Sequence, residues 1–290
     1  MEYKRICPKC GKEITYQSYS AWYNANKAGT FCRSCSCKQS THRCGDLTKL
    51  LEDTYESYYW IGFLLADGCF SNGRLRIDLA IKDKEHLLKL ASFLSYTGTI
   101  IETDKKIGLA IKDIDTVEAI CNKFNILKQK TYNPPSNLHT FQKDYLYCIL
   151  VGFIDGDGNI QNQSGREDFF LRIKNHNSWL EVLRLFSSLI SPKETVKINS
   201  KGYAELIITN TKYLQQLKSK ILYYNLPILS RKWDVIDMNF TSKYTKAEET
   251  RVKVIDLLKQ KVKQVDIARQ LGISQANVTK IKKKYYEHNN

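Results

Sequence analysis

The sequence lacks any long apolar run, and its first residues lack the apolar core of a signal peptide. No stretch approaches the roughly 18 apolar residues that a membrane-spanning helix needs, and the N-terminal segment MEYKRICPKC is largely polar. These absences argue against a membrane or secreted protein, and we predict a cytoplasmic protein without a membrane partner. Its 290 residues suffice for a sizeable core and for more than one domain.

Acidic residues are scarce relative to basic ones. The chain has 30 Asp and Glu residues against 45 Lys and Arg residues, which gives a net charge of +15 and a pI near 9.3. Such an excess favours a polyanionic partner, with nucleic acid as the first expectation and an anionic membrane surface as the second.

Cysteines are concentrated at the N-terminus, where six of the nine lie between Cys7 and Cys44. In a chain without a secretion signal, such clustering favours metal binding over disulfides. Two CxxC pairs are formed by Cys7, Cys10, Cys32 and Cys35. Four thiolates from two tight turns make the tetrahedral sulfur site that Zn²⁺ prefers, so residues 1–40 are predicted to form a structural zinc module that folds with its metal. Cys37, Cys44 and His42 remain open as further ligands, and Cys37 could replace Cys35.

The same segment carries aromatic residues whose role is open between two interpretations. They are Tyr16, Tyr19, Trp22 and Tyr23, with Lys27 beside them. They form either a surface that faces nucleic acid or the small core of the zinc module.

One pattern occurs twice in the middle of the chain. The segment WIGFLLADGCF (Trp60 to Phe70) matches LVGFIDGDGNI (Leu150 to Ile160), and similar strands and helices follow each copy in register. Each copy predicts helix, two strands, helix, two strands, helix. We therefore predict an α/β (α+β) fold with two pseudo-twofold repeats, residues 55–144 and 145–240, each with its own sheet, after a linker at residues 41–54.

Small residues mark one face of the first helix of each copy. Gly62 and Ala66 lie four residues apart, as do Gly152 and Gly156, so each pair lies on one helix face and allows two backbones to approach closely. If these helices form the pseudo-symmetric interface, Asp67 and Asp157 meet at its end. Two carboxylates that close repel each other unless a cation lies between them, and a hard ion such as Mg²⁺ or Mn²⁺ suits their oxygen ligands.

The strands that follow alternate between apolar and polar residues. In the segment RLRIDLAI, the polar positions Arg74, Arg76 and Asp78 fall on one face, and Arg172 and Lys174 repeat the pattern in the second copy. An open sheet face with Arg and Lys can enter a major groove, where Arg binds guanine edges with two hydrogen bonds.

These features together resemble the LAGLIDADG homing endonucleases in their monomeric, two-motif form. The motif aligns with Trp60 to Gly68 and with Leu150 to Gly158, and the resemblance covers roughly Tyr55 to Phe240. It implies two saddle-shaped antiparallel sheets on double-stranded DNA, and cleavage of both strands within a long specific site to leave short 3′ overhangs.

The resemblance also implies roles for single residues. The last Asp of each motif, Asp67 and Asp157, is the metal-binding acid, and Leu65 departs from the motif by replacing its inner Asp. A late Lys in each repeat lies near the cleavage centre; the shared Leu-x-x-Lys spacing selects Lys130 and Lys232. Lys128 and Arg231 are close competitors. The expected mechanism is hydrolysis by metal-activated water, with the two lysines neutralising developing charge.

The C-terminal segment, residues 241–290, is rich in Lys and resembles the helix-turn-helix of resolvases and repressors. Gly272 ends one predicted helix and Ser274 caps the next. The residues expected to face a major groove are Gln275, Ala276, Asn277 and Lys280.

Two alternatives to an endonuclease stay open. One is a transcription regulator that uses the same fold for DNA binding without catalysis, and the other is an intron RNA maturase. An intein is not expected, because no splicing segment flanks the repeats. An intron-encoded or free-standing gene product fits better.

Overall fold

The computed structural model of the protein describes residues 2–32, 35, 44–162, 169–191, 196–240 and 243–286. The chain divides into two compact units, Met1–Asp157 with Leu226–Ile228 and Gly158–Asn225 with Leu229–Asn290. None of the helices in the described ranges has the length and apolar character needed to cross a membrane.

The first unit begins with a small hairpin and then contains the first repeat. The hairpin and its helix are β1 (Tyr3–Ile6), β2 (Glu13–Tyr16) and α1 (Tyr19–Lys27). The repeat follows as α2 (Tyr55–Asp67), β3 (Gly68–Ser71), β4 (Arg74–Ala80), α3 (Lys84–Phe93), β5 (Ile101–Glu102), β6 (Lys106–Lys112) and α4 (Ile114–Lys123). The unit also includes α5 (Lys143–Asp157), the first helix of the second repeat.

The sheet of the first repeat is antiparallel, with the strand order β3-β4-β6-β5. Strand β4 alternates as predicted: Leu75, Ile77 and Leu79 are buried, and the residues between them are exposed. A period of two places these apolar side chains on the core face, and the polar side chains face outward.

The second unit repeats this order after α5. Its elements are β7 (Gly158–Asn162), β8 (Phe169–His176), α6 (Leu180–Ile190), β9 (Val196–Ile198), β10 (Tyr203–Ile208), α7 (Thr211–Tyr223) and a short α8 (Ser230–Trp233). The sheet is antiparallel with the order β7-β8-β10-β9, which corresponds strand for strand to the first sheet. The predicted mixed α/β class with antiparallel sheets is therefore confirmed.

Three α-helices follow in the second unit: α9 (Lys243–Lys259), α10 (Gln264–Leu271) and α11 (Gln275–Ile281). Helix α10 ends at Gly272, whose φ of +63° is a left-handed conformation that glycine adopts without strain. The Ser274 side chain accepts a hydrogen bond from the backbone N–H of Asn277 and caps α11. Their common core contains Val254, Leu258, Ile267, Ala268 and Val278.

Candidate metal and nucleic-acid site

Helices α2 and α5 pack backbone against backbone through their glycines. A methyl group on Gly62 would overlap the carbonyl oxygen of Ile149, and one on Gly152 would overlap the carbonyl oxygen of Tyr59. Each carbonyl belongs to the residue three positions before the other glycine, so the contact is symmetric between the two motifs. The glycines thus permit an approach that any side chain would prevent.

The same helix faces meet again one turn later, next to the acids. A methyl group on Gly156 would overlap the Cβ atom of Ala66 and would lie 3.4 Å from the Oδ2 atom of Asp67. The carboxylate of Asp67 therefore lies beside the residue that directly precedes Asp157. All four small residues that the sequence singled out lie in this helix contact.

Each acid is the last residue of its helix. Asp67 ends α2 and Asp157 ends α5, and both side chains are exposed. A carboxylate at a helix C-terminus adds to the negative end of the helix dipole, and neither last turn contains a basic residue. Negative charge therefore accumulates where the helices end, which a cation would relieve.

Lys130 brings a positive charge to this place. Its Nζ atom donates hydrogen bonds to the carbonyl oxygens of Leu65, at 2.5 Å, and Ala66, at 2.7 Å, which belong to the last turn of α2. Burial lowers the pKa of Lys130, while the negative charges of Asp157 and Asp67 act in the opposite direction. The opposing influence of both acids shows that Lys130 lies within electrostatic reach of each.

The other late-repeat candidates lie in different surroundings. Lys128 is exposed, two residues before Lys130. Lys232 is buried in α8 of the second unit, a helix that packs against β7, and its neighbour Arg231 is exposed.

The polar face of the first sheet carries the predicted positions. Arg74, Arg76 and Asp78 are all exposed, and the Nε atom of Arg76 forms an ion pair of 2.7 Å with Oδ2 of Asp78. The carboxylate of Asp78 raises the pKa of Arg76. In the register of the sheet, Arg74 pairs with Lys112, which extends the basic surface to β6.

The second sheet has a comparable arrangement on its polar face. Arg172 forms an ion pair of 2.6 Å with Glu205, whose carboxylate is buried and also accepts a hydrogen bond from Asn199 at 2.6 Å. The Arg172 guanidinium, and then Asn199, hold the pKa of Glu205 below its usual value. The Nζ atom of Lys174 lies 4.3 Å from the ring centroid of Tyr203.

The acid partner of Arg172 was not predicted from the sequence, whereas Asp78 was. Glu205 occupies a polar position between apolar residues in the segment YAELII, a pattern that fits a solvated acid as well as a buried one. Tyr59 and His86 were missed as well. Tyr59 and His86 form a hydrogen bond with each other, and Tyr59 also donates one to Asp155. No local sequence pattern predicts these contacts.

The four cysteines of the two CxxC pairs form one cluster. Their Sγ atoms all lie within 4.8 Å of one another, and among the described residues no other group of three or more potential ligands has this geometry. Cys7, Cys32 and Cys35 are buried and Cys10 is exposed. Burial raises the pKa of Cys7, but hydrogen bonds to its sulfur, first from the Cys32 backbone, outweigh burial and bring it to about 6.

The alternative ligands are placed differently. Cys44 lies away from the cluster, with its Sγ atom 3.7 Å from the carbonyl oxygen of Ala110 in β6. Cys37 and His42 lie outside the described residues.

Tyr16, Tyr19, Trp22 and Tyr23 are not part of the buried cluster of this segment. Helix α1, which is described in full, has no buried residue, and the buried cysteines pack instead with Ile14 and Phe31. Tyr19 and Tyr23 are about half exposed and lie against each other, with ring centroids 6.0 Å apart.

The residues predicted to face a groove lie on α11. Gln275, Ala276, Asn277 and Lys280 are exposed on the helix, whose buried side is formed by Val278. Helices α10 and α11 thus present polar side chains outward from a shared apolar core.

No family model matches the sequence, and no curated protein matches it. Solved structures similar to the chain include the LAGLIDADG homing endonuclease I-GzeII in complex with DNA target, with 15% identity over 78% of this chain and 96% of the other, at a TM-score of 0.45. I-SmaMI, bound to uncleaved DNA target in the presence of calcium ions, has 12% identity over 78% and 96%, at 0.44. The LAGLIDADG homing endonuclease I-LtrWI, bound to target DNA, has 13% identity over 79% and 97%, at 0.43. At these identities and TM-scores, the similarities assign the chain neither a family nor an activity.

Proposed function

We propose that the protein is a site-specific DNA endonuclease that hydrolyses one phosphodiester bond in each strand and leaves short 3′ overhangs. The observation that carries the proposal is the placement of Asp67 beside the last turn of α5, which ends in Asp157, with Lys130 within electrostatic reach of both. A protein that only binds DNA gains nothing from two carboxylates at this place, because they repel the phosphates of the duplex.

The residues at this place fit a hard divalent cation. Mg²⁺ is commonly held by one or two carboxylates together with phosphate oxygens and waters, so two acids from two helices form a suitable protein half of such a site. When bound, the ion lowers the pKa of a water and stabilises the leaving 3′ oxygen. Asp67 and Asp157 would hold the ion, and Lys130 and Lys232 are proposed to neutralise charge that develops on the phosphate.

The exposed sheet faces are proposed to bind double-stranded DNA. Arg74, Arg76, Arg172 and Lys174 provide donors for base edges and phosphates. The ion pairs of Arg76 with Asp78 and of Arg172 with Glu205 fix the direction of each guanidinium before DNA arrives. Such pre-ordering reduces the entropy lost on binding.

The flanking segments are proposed to extend the bound site. The cysteine cluster is assigned to a structural Zn²⁺, and α10 with α11 to a helix-turn-helix in which Gln275, Asn277 and Lys280 face a major groove. The chain, proposed as a cytoplasmic monomer, would then contact a longer duplex than its sheets alone. Each added phosphate contact increases the dependence of binding on salt.

The experiment that tests this function uses plasmids that carry fragments of intron-free genomic DNA. The full chain is incubated with the library in Mg²⁺, and linear products are isolated and their ends sequenced. We expect a single recurrent sequence with staggered 3′ ends, and no linear product with EDTA. The length of duplex protected from nuclease digestion in Ca²⁺ then measures whether the flanking segments extend the site.

The outcomes separate the alternatives. Recurrent binding without cutting in either Mg²⁺ or Mn²⁺ would refute the endonuclease and favour a transcription regulator. Binding to structured RNA with no binding to duplex DNA would instead favour a maturase.

Lys130→Met is expected to lower the cleavage rate by about 10²–10³-fold, the usual loss when one charge that stabilises a transition state is removed. Met keeps the length of the side chain, so DNA affinity in Ca²⁺ is expected to stay within about threefold. The measurement is single-turnover cleavage of an end-labelled duplex. Lys128→Met is the matched control, since it removes an exposed charge two residues away. Equal cleavage rates for the two variants would exclude a specific role of Lys130 in cleavage.

Cys32→Ser is expected to abolish zinc binding, because a cluster of four thiolates loses a buried ligand. Elemental analysis of the purified chain should give about one zinc per wild-type chain and far less in the variant. Cys69→Ser is the control, as Cys69 is an exposed cysteine of β3 and its loss should leave the zinc content unchanged. Equal zinc in both variants would contradict the assignment.

A further inference from the structure

One buried position carries an apolar residue in the first motif copy and an acid in the second. The inner residue of the first motif is Leu65 and that of the second is Asp155, and both are almost completely buried, at 1% and 2% exposure. A buried leucine needs only apolar neighbours. A buried carboxylate is costly unless hydrogen-bond donors reach it, so Asp155 requires a specific partner.

That partner is Tyr59, on the opposite helix. The Tyr59 hydroxyl lies 2.6 Å from Oδ2 of Asp155 and 3.0 Å from Nε2 of His86 in α3. A carboxylate oxygen only accepts, so the single hydroxyl proton of Tyr59 is donated to Asp155. The Nε2 atom of His86 then carries the proton that bonds to the Tyr59 oxygen. The result is a buried chain from His86 through Tyr59 to Asp155.

This chain of hydrogen bonds connects three helices. His86 belongs to α3, Tyr59 to α2 and Asp155 to α5, and all three side chains are buried. Hydrogen bonds to an ionised carboxylate are short and stronger than neutral ones, and bonds in series polarise one another. The last turn of α5 is therefore tied to the first repeat two residues before Asp157.

The hydrogen bond between Tyr59 and Asp155 crosses the close contact of α2 and α5. Gly152 and Gly156 let the backbones touch, and near the other end of the two helices the Tyr58 ring stacks on Tyr145 of α5, with centroids 4.1 Å apart. The bond between Tyr59 and Asp155 restricts sliding and rotation at the end that carries Asp157. The end of α2 is held by another group, Lys130, which bonds to the carbonyl oxygens of Leu65 and Ala66.

We propose that Tyr59 and Asp155, supported by His86, are positioning residues that hold the Asp157 carboxylate for cleavage of one DNA strand. The proposal rests on the endonuclease function proposed above. It assigns to the Asp157 side a hydrogen bond that Leu65 cannot form on the Asp67 side, so loss of this bond slows one strand more than the other.

The test uses the full chain and the duplex recovered from the plasmid library, with a different fluorophore on the 5′ end of each strand. Single-turnover rates in Mg²⁺ are measured for each strand separately. Tyr59→Phe is expected to slow one strand at least tenfold more than the other, and the strand affected is the one that Asp157→Asn slows more. Affinity in Ca²⁺ should remain within about threefold.

Tyr58→Phe is the matched control. Tyr58 is the preceding residue, is also buried, and donates its hydroxyl to Oδ1 of Asp53 at 2.8 Å, at the N-terminal end of α2. Both variants lose one oxygen and one bond to a carboxylate, and Tyr59→Phe also loses the bond to His86, so the melting temperature of each variant is measured beside its rates. Only Tyr59→Phe is expected to give different cleavage rates for the two strands.

Two further variants separate positioning from simple stability. Asp155→Asn keeps an acceptor for Tyr59 and should retain more of the affected rate than Asp155→Leu, although Leu65 shows that leucine fits the matching position. The double variant Tyr59→Phe with Asp155→Leu leaves no buried carboxylate without a donor, and it should recover part of the melting temperature but keep the strand bias. If Tyr59→Phe slows both strands equally, or behaves as Tyr58→Phe, the proposal is overturned. If the wild type cuts neither strand, the endonuclease function itself fails.

Discussion

Asp67→Asn and Asp157→Asn are each expected to reduce double-strand cleavage by about 10³-fold or more. Asn has nearly the same shape as Asp but lacks the charge that holds a divalent cation, so the loss falls on the step that needs the ion. DNA affinity in Ca²⁺ is expected to stay equal or to rise, because one negative charge near the phosphates has been removed. End-labelled duplex and fluorescence anisotropy measure the rates and the affinities.

The matched control for both variants is Asp115→Asn. Asp115 is an exposed acid in the first turn of α4, so its replacement removes the same charge at another helix end. Its cleavage rate should remain near that of the wild type. Wild-type rates for both Asp67→Asn and Asp157→Asn would exclude these carboxylates as metal ligands. Nicking by each single variant, with no cutting by the double variant, would support one acid per strand.

Gly152→Ala is expected to destabilise the protein by about 3 kcal/mol or more, at the upper end of what overpacking costs. The added methyl group would overlap the carbonyl oxygen of Tyr59, which belongs to the backbone of α2 and cannot move without separating the helices. Gly62→Ala should behave in the same way, because its methyl group would overlap the carbonyl oxygen of Ile149. Chemical denaturation followed by circular dichroism measures the loss.

The next contact along the helices provides an internal control. Gly156→Ala places its methyl group against the Cβ atom of Ala66, a side-chain atom that can be removed. The double variant Ala66→Gly with Gly156→Ala moves the methyl group from one helix to the other and should recover much of the stability. No change at Ala66 should rescue Gly152→Ala. Recovery of stability at both positions, or at neither, would contradict a backbone contact at Gly152 and a side-chain contact at Gly156.

Much of the fold follows from local patterns in the sequence. The repeat of WIGFLLADGCF and LVGFIDGDGNI predicts two copies of one unit, and the alternation in RLRIDLAI predicts the buried and exposed faces of β4. These features are readable because helix and strand periodicities depend on neighbouring residues alone. The pairing of Gly62 with Gly152 follows from the same repeat, since one small face needs another to pack against.

The contacts that depend on distant parts of the chain could not be predicted in this way. Sequence spacing leaves Lys128 and Lys130 as competitors, and the choice depends on the turn between them, where Gln129 adopts a left-handed φ of 55°. His86 reaches Tyr59 only because α3 packs beside α2, and Glu205 meets Arg172 only across paired strands. Each of these contacts depends on tertiary packing rather than on spacing along the chain.

The bond between Tyr59 and Asp155 also bears on which helices can associate. Because α2 and α5 meet symmetrically, each could in principle pair with a copy of itself from another chain. In a pair of two α5 helices, Asp155 would face Ile149 in place of Tyr59 and would lose its donor. In a pair of two α2 helices, the Tyr59 hydroxyl would face Leu65. Pairing of α5 with itself would bury Asp155 without a donor, and in a pair of α2 helices Tyr59 would keep only His86, so this buried hydrogen bond favours pairing of α2 with α5.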